Sequence, residues 1–241
     1  MSKRYDVLFV FVFFIMISTF FTFFGILIPK NEGGVQFVDE PSGDPVIVID
    51  AGHGGEDGGA STYGEVTEKE LNLFIASDLC DMLRFCGVEV VMTRTEDILL
   101  YDKDSDYHGK KKSQDLAKRL KIANSTENAI LVSIHMNAFP EAKYKGLQVY
   151  FSPNTESSYI LANSIQNTVR IHLSPDNDRR VKKADSRIYL LDRFEGTGVL
   201  IECGFMSNPE EYESLCSEEY RKQLSVIIAE SIIEFIQEGG R

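Results

Sequence analysis

The sequence contains few cysteines, and no two of them form a C-x-x-C pair. A cysteine-based zinc site therefore has no support, because such sites normally take their thiolates from closely spaced pairs. Two of the cysteines lie six residues apart on one predicted helix, where they face different sides, so no disulfide is expected between them. A chain of 241 residues is also large enough not to need disulfides. We therefore predict small core residues at Cys80, Cys86, Cys203 and Cys216.

The sequence also lacks an excess of positive charge, since its formal net charge is −12. A nucleic-acid partner is not expected, because binding to phosphates requires a basic face. Two short basic runs stand out, at residues 110–112 and 179–183. Both runs are predicted to be solvated loops. The alternative is that they contact an anionic polymer or an acidic partner.

One long apolar run lies near the start of the chain. Residues 7–28 contain no charged side chain, and as a helix they would span roughly 33 Å, about the hydrocarbon thickness of a bilayer. Lys3 and Arg4 precede the run, which favours placing the rest of the chain outside the cytoplasmic membrane. No small-x-small cleavage site follows, so a retained anchor is favoured over a cleaved signal peptide. We predict an anchor or signal sequence at 1–30, a linker at 31–44 and a folded domain at 45–241.

Strand and helix patterns alternate along the rest of the chain. The apolar run 46–49 is typical of a strand buried on both faces, and Thr67 with Glu70 forms a capping box that begins a helix. The strand that follows at 88–92 completes a β-α-β unit, whose two strands should be parallel. Further strands are predicted at 129–134, 147–152, 187–191 and 199–203, and further helices at 113–124, 158–173, 209–216 and 219–237. This alternation predicts an α/β fold: a three-layer αβα arrangement around a central, mostly parallel mixed sheet.

Polar side chains suited to metal chemistry stand where three of these strands end. His53 follows the first strand, His135 follows the third, and Glu202 lies near the end of the last. Glu68 stands in the first turn of the helix after the glycine-rich loop. Because functional groups collect at the carboxyl ends of parallel strands, we expect these four side chains to meet. Two imidazoles and a carboxylate are usual ligands of a catalytic zinc ion, and a second carboxylate can serve as base and acid for its water.

Three of these residues also have simpler explanations. His53 could be a loop residue, His135 a core histidine satisfied by the backbone, and Glu68 a carboxylate that favours a helix N-terminus. Glu202 is harder to explain in this way, because a carboxylate among apolar strand neighbours needs a partner. The remaining two histidines are predicted to lie at the surface: His108 and His172.

Four ordered features carry a resemblance to a known family. They are DAGHGG at 50–55, a glutamate fifteen residues after its histidine, SIHMNA at 133–138 and IECGFMSNPEE at 201–211. Through these features, from about residue 46 to residue 235, the sequence resembles the zinc-dependent N-acetylmuramoyl-L-alanine amidases. The string KSQDLAKRLKIAN and the single N-terminal anchor are similar to the branch of germination-specific, spore-cortex amidases. Ala51 departs from the family, which commonly has a proline before Gly-His.

The resemblance implies that His53, Glu68 and His135 hold Zn²⁺ and that Glu202 is the catalytic base. It implies hydrolysis of the amide between the lactyl group of muramic acid and the L-alanine of the stem peptide in peptidoglycan. The spore-cortex branch further implies that this cut prepares muramic-δ-lactam formation needed for germination. The enzyme would then be extracytoplasmic, membrane-anchored or secreted, in the forespore intermembrane space. Asp50 is expected to orient His53.

Two other functions stay open from the sequence. One is a different cell-wall zinc peptidase, and the other is a catalytically idle, membrane-tethered peptidoglycan-binding protein. The intact set of four metal-site residues argues against the idle protein. The sequence shows no separate wall-binding module, so targeting is expected from the anchor, from the basic runs or from an accessory protein.

Overall fold

The computed structural model describes residues 43–61, 66–102 and 109–240. The predicted anchor at 1–30, nearly all of the linker at 31–44, and His108 lie outside the described residues. Within those three ranges, no helix is long and apolar enough to cross a membrane.

The centre of the fold is a six-stranded mixed sheet, whose strands are numbered β1 to β6 in chain order. The strands are β1 Val46–Ala51, β2 Glu89–Met92, β3 Ala129–Asn137, β4 Gln148–Phe151, β5 Lys182–Lys183 and β6 Thr197–Phe205. Across the sheet their order is β2-β1-β3-β6-β4-β5. Strands β1, β2, β3 and β6 are mutually parallel, whereas β4 runs antiparallel to β6 and parallel to β5. The prediction of a mostly parallel, mixed sheet is thereby confirmed, including the parallel pairing of the first two strands.

Six helices of the described chain cover the two faces of the sheet. They are α1 Glu68–Phe85, α2 Lys111–Ser125, α3 Glu156–His172, α4 Tyr189–Arg193, α5 Pro209–Cys216 and α6 Glu218–Gln237. The capping box that was predicted at the start of α1 is present, because the backbone N–H of Thr67 donates to the Glu70 carboxylate at 2.8 Å. Such a cap fixes the first turn of the helix and therefore the position of Glu68.

Side chains alternate between the two faces of each central strand, which creates two separate cores. Ile49 of β1 belongs to the larger core, to which α1, α3, α5 and α6 contribute buried side chains. Val48 of the same strand belongs to the smaller core, together with Ala123 of α2 and Leu191 of α4. Helices therefore lie on both faces of the sheet, which confirms the three-layer prediction.

The predicted strand at 187–191 is wrong. This segment leads into α4, where the N–H of Asp192 donates to the carbonyl of Ile188 in helical fashion at 3.0 Å. The helix brings two consecutive leucines, Leu190 and Leu191, into the smaller core. The sheet position beside β4 is taken instead by β5, which lies in a basic run predicted to be a loop.

The cysteine prediction is confirmed in part. Cys80 and Cys203 are buried and Cys216 is partly buried, and all of the cysteines are free thiols. Cys86 is exposed, because it is the residue that ends α1, beyond the packed face of that helix.

Candidate metal centre and catalytic pocket

The glycine-rich loop after β1 packs unusually close to the side chains around it. A β-carbon placed on Gly52 would lie 2.3 Å from the ring of His135, and one on Gly59 would lie 2.4 Å from Oε2 of Glu68. Gly59 also has a φ of +67°, a conformation that side-chain-bearing residues rarely adopt. Glycine at these two positions therefore lets the loop approach the residues of the site.

His53, Glu68 and His135 come together at this loop. Oε1 of Glu68 lies 3.2 Å from Nε2 of His53 and 3.0 Å from Nδ1 of His135. The two imidazole rings are 5.0 Å apart and nearly perpendicular. One ligand atom from each residue lies within 4.8 Å of the others, so the cluster can hold a metal ion.

Glu68 is fixed by backbone donors on both of its oxygens. Oε2 accepts from the N–H of Ala60 at 2.7 Å, and Oε1 accepts from the N–H of Met136 at 3.2 Å. Burial acts to raise the pKa of Glu68, but hydrogen bonds from His135 and His53 outweigh it and hold the pKa well below its usual range. The side chain is therefore an anion in a fixed position, which suits a metal ligand.

Glu202 lies beside this cluster because of the strand register. Residues His135 of β3 and Glu202 of β6 are directly paired. Oε2 of Glu202 is buried and has no hydrogen-bond partner among the described residues. Burial, aided by the negative charge of Glu68, raises the pKa of Glu202 to about 7, although the nearby His135 acts to lower it. A carboxyl group with such a pKa can both take up and release a proton near neutral pH.

The expectation that Asp50 orients His53 is wrong. Asp50 is buried and accepts hydrogen bonds from Thr93 and Ser133, both at 2.7 Å, and from Arg119 at 2.8 Å. The carboxylate that faces Nδ1 of His53 is Asp57, whose Oδ2 lies 3.0 Å from that nitrogen, although the pair is not aligned as a hydrogen bond. Asp57 belongs to the same glycine-rich loop, a proximity that the sequence spacing alone did not reveal.

Arg119 is the second polar residue that the sequence did not mark as part of the site. It is 1% exposed and lies on α2. Its guanidinium donates to Asp50, to Asp115, and to the carbonyls of Ala51 and His53, at distances from 2.6 to 2.8 Å. Asp115 and Arg119 stand four residues apart on the helix, which was the only sequence signal for this network.

Arg119 in turn controls the charge of Asp50. Burial acts to raise the pKa of Asp50, but the Arg119 guanidinium and the Ser133 hydroxyl outweigh it and lower the pKa to about 2. Asp50 is therefore ionised at neutral pH, and it anchors the arginine.

A cavity of about 230 Å³ opens above these residues. His53, His135 and Glu202 line it, together with residues from the first turns of α2 and residues around α4. A larger cavity, of about 400 Å³, lies between Tyr144 and Arg179 and contains none of the four predicted site residues. The chemistry points to the smaller cavity as the candidate active site. His172 is exposed, as predicted.

Comparisons with known proteins agree on one family. The model of the N-acetylmuramoyl-L-alanine amidase family matches residues 47–234. The germination-specific N-acetylmuramoyl-L-alanine amidase of Bacillus subtilis is 34% identical over 200 residues, which cover 83% of each chain. The CwlD amidase of Clostridioides difficile, solved in complex with the GerS lipoprotein, is 35% identical with a TM-score of 0.76, over 81% of this chain and all of that one.

A third similar protein comes from a different bacterial group. AmiC2 of Nostoc punctiforme, an N-acetylmuramoyl-L-alanine amidase, is 32% identical with a TM-score of 0.68, over 81% of this chain and 99% of that one. The family match spans most of the chain and includes all four residues of the candidate site. The chain therefore belongs to the N-acetylmuramoyl-L-alanine amidase family.

Proposed function

We propose that this amidase uses zinc to hydrolyse the bond between the lactyl group of muramic acid and the L-alanine of the stem peptide in peptidoglycan. The observation that carries the proposal is the placement of two histidines and a glutamate within 4.8 Å of one another, in an amidase-family chain. A second glutamate adjoins them, and its Oε2 atom is buried without a hydrogen-bond partner in the described chain. His53, Glu68 and His135 are the proposed ligands, and Glu202 is the proposed general base.

The donor set fits a zinc ion. Bonds of about 2.1 Å at tetrahedral angles place neighbouring ligand atoms about 3.4 Å apart. Glu68 Oε1 lies 3.2 Å and 3.0 Å from the facing nitrogens of the two histidines, close to that spacing. Two neutral imidazoles and one carboxylate also leave a position open for water, as in catalytic zinc sites. Zinc, when bound, would lower the pKa of that water and polarise the amide carbonyl.

Glu202 would carry the proton between the two halves of the reaction. Its free Oε2 accepts a proton from the attacking water, whose oxygen forms the new bond to the amide carbon. The same carboxyl then gives the proton to the nitrogen of L-alanine as the carbon–nitrogen bond breaks. A pKa of about 7 before metal binding suits both steps, because neither uptake nor release of the proton is strongly disfavoured.

We further propose a role in the spore cortex, where the cut would prepare muramic-δ-lactam formation and so germination. The support is the similarity to the germination-specific amidase of B. subtilis and to the CwlD amidase of C. difficile. The latter was solved with a lipoprotein, which supports an accessory protein as partner here. The proposed layout keeps the anchor at 1–30, the linker at 31–44 and the catalytic domain at 45–241. This layout places the domain outside the cytoplasmic membrane, in the forespore intermembrane space.

The test joins metal content to product identity. The full chain is purified in mild detergent, its zinc is measured, and it is incubated with peptidoglycan while released peptides are identified by mass. We expect one zinc per chain and peptides that begin with L-alanine; fragments cut within the stem would instead identify a peptidase.

Glu202→Gln should keep the zinc but lose at least about a hundredfold in activity, the size expected for a lost general base. Glu218→Gln, an exposed glutamate on α6, is the matched control. Near-normal activity of Glu202→Gln would refute the assigned base.

A further inference from the structure

Two exposed cations line the catalytic cavity. They are Lys112, in the first turn of α2, and Arg187, just before α4. This cavity contains Glu202 and both histidines of the cluster. These cations do not reflect a generally basic surface, because the chain carries a net charge of −12. Their position at the reaction site therefore calls for an explanation.

Both cations are exposed, and each is paired with a carboxylate of the protein. Arg187 donates from its guanidinium to both oxygens of Asp185 at 2.6 to 3.1 Å, and the two side chains are 88% and 53% exposed. Lys112 is paired with Asp57 at 3.0 Å, with the lysine 64% and the aspartate 22% exposed. Solvent screens the exposed Arg187–Asp185 pair, so a carboxylate of a substrate can compete with Asp185 for the guanidinium.

The third cation of the cavity wall behaves differently. Arg119 is buried, and its guanidinium is already bound by two carboxylates and two backbone carbonyls. These bonds use four of its five N–H groups, and the side chain is 1% exposed, so Arg119 serves the protein itself. Of the described arginines and lysines that line the cavity, Lys112 and Arg187 are the two that offer positive charge to a molecule bound there.

Arg187 is the stronger candidate of the two for binding a substrate. Its planar guanidinium can bind a carboxylate through two parallel hydrogen bonds, whereas an ammonium group acts as a point charge. Lys112 is also tied to Asp57, which approaches His53, so its movement would disturb the metal cluster. Beside Arg187 the cavity wall continues with Ile188 and Tyr189.

We propose that Arg187, assisted by the charge of Lys112, binds a free carboxylate on the stem peptide close to the cleaved amide. The inference rests on the proposed function, since it assigns a specificity residue to that same site. An extended peptide advances about 3.4 Å per residue, so the carboxylate of the residue after L-alanine lies within reach of a cavity wall when the amide is at Glu202. The amidase should then prefer stems whose second residue carries a carboxylate over stems in which that group is a carboxamide.

The test compares two peptidoglycan preparations that differ only in this carboxylate or carboxamide. The full chain should cleave the carboxylate form about tenfold more efficiently in kcat/KM, with the difference mainly in KM. Arg187→Gln should lower kcat/KM about tenfold on the carboxylate form and leave the carboxamide form unchanged, which abolishes the preference. Arg170→Gln, which removes an arginine of α3 that is bound only to Asn167 among the described contacts, is the charge-matched control and should keep it.

Each alternative outcome has a separate meaning. If the wild-type chain cleaves both preparations equally, the assigned specificity is wrong while the amidase function stands. If it cleaves neither, the proposed function itself fails. If Arg187→Gln lowers cleavage of both preparations by the same factor, Arg187 has a structural role only, and the proposal is overturned.

Discussion

Replacing Gly52 by alanine should displace His135 from the metal cluster. The new β-carbon would lie 2.3 Å from two atoms of the imidazole, whereas ordinary contacts begin near 3.4 Å, so one side must move by about 1 Å. The backbone at Gly52 cannot retreat easily. Its N–H donates to Ile134, and its carbonyl accepts from Asn72 and Arg94, all at 3.0 Å. The imidazole is therefore the part that moves, away from its 3.0 Å contact with Glu68.

A displacement of 1 Å at a catalytic group lowers activity by about a hundredfold, or about 2.7 kcal/mol in activation free energy. We therefore expect Gly52→Ala to lose about that much in kcat/KM and to bind zinc at least about tenfold more weakly in a competition assay with a chelator. Its circular dichroism spectrum should match that of the wild type, because both cores are untouched.

The same loop supplies the control for this experiment. A β-carbon on Gly58 would meet nothing within 4 Å, so Gly58→Ala makes the same chemical change without the collision. It should retain zinc and activity. If Gly52→Ala and Gly58→Ala bind zinc and turn over substrate equally well, the close approach of loop and imidazole has no functional role.

Three further outcomes can be measured. Arg119→Met should lower the free energy of unfolding by about 3–5 kcal/mol in urea titrations, because Asp50 and Asp115 lose their buried partner. Lys118 is exposed on the same helix, so the control Lys118→Met should change that free energy by less than about 1 kcal/mol. The fall of kcat/KM toward acid pH should have its midpoint below pH 7. Glu202 must be ionised to act as base, and the charge of zinc lowers its pKa from about 7. A midpoint above pH 7 would contradict this. Cys86→Ser should remove the fastest-reacting thiol of the native protein in maleimide labelling, and an unchanged fast phase would show that another thiol is responsible.

The sequence was most informative where strands end. The apolar runs before His53, His135 and Glu202 predicted parallel strands, and parallel strands bring their carboxyl ends to one edge of a sheet. This local signal was enough to predict that the three side chains meet. It did not predict the direct pairing of His135 with Glu202, which depends on β3 and β6 being neighbours in the sheet. Strand order is a tertiary property that no local pattern contains.

The failures of sequence reasoning have physical causes as well. The segment RIYLL at 187–191 is too short for its apolar pattern to distinguish strand from helix, and packing against the smaller core decided in favour of helix. Asp50 was assigned to the nearest histidine in sequence, yet its partner is Arg119, 69 residues away. Long-range partners of a buried carboxylate cannot be found from spacing, since any cation that the fold brings close will serve.

The buried arginines explain how a loop rich in glycine can hold a metal ligand in place. His53 has a φ of +61°, a strained value for a residue with a side chain, and glycines around it resist ordering. Arg94 and Arg119 together bind three consecutive carbonyls, those of Ala51, Gly52 and His53. Four hydrogen bonds thus fix these three carbonyls before any metal arrives. Ala51 lacks the stiffness of the proline that is common at this position in the family. Its carbonyl is held by both arginines, so these hydrogen bonds supply the rigidity that an alanine side chain does not.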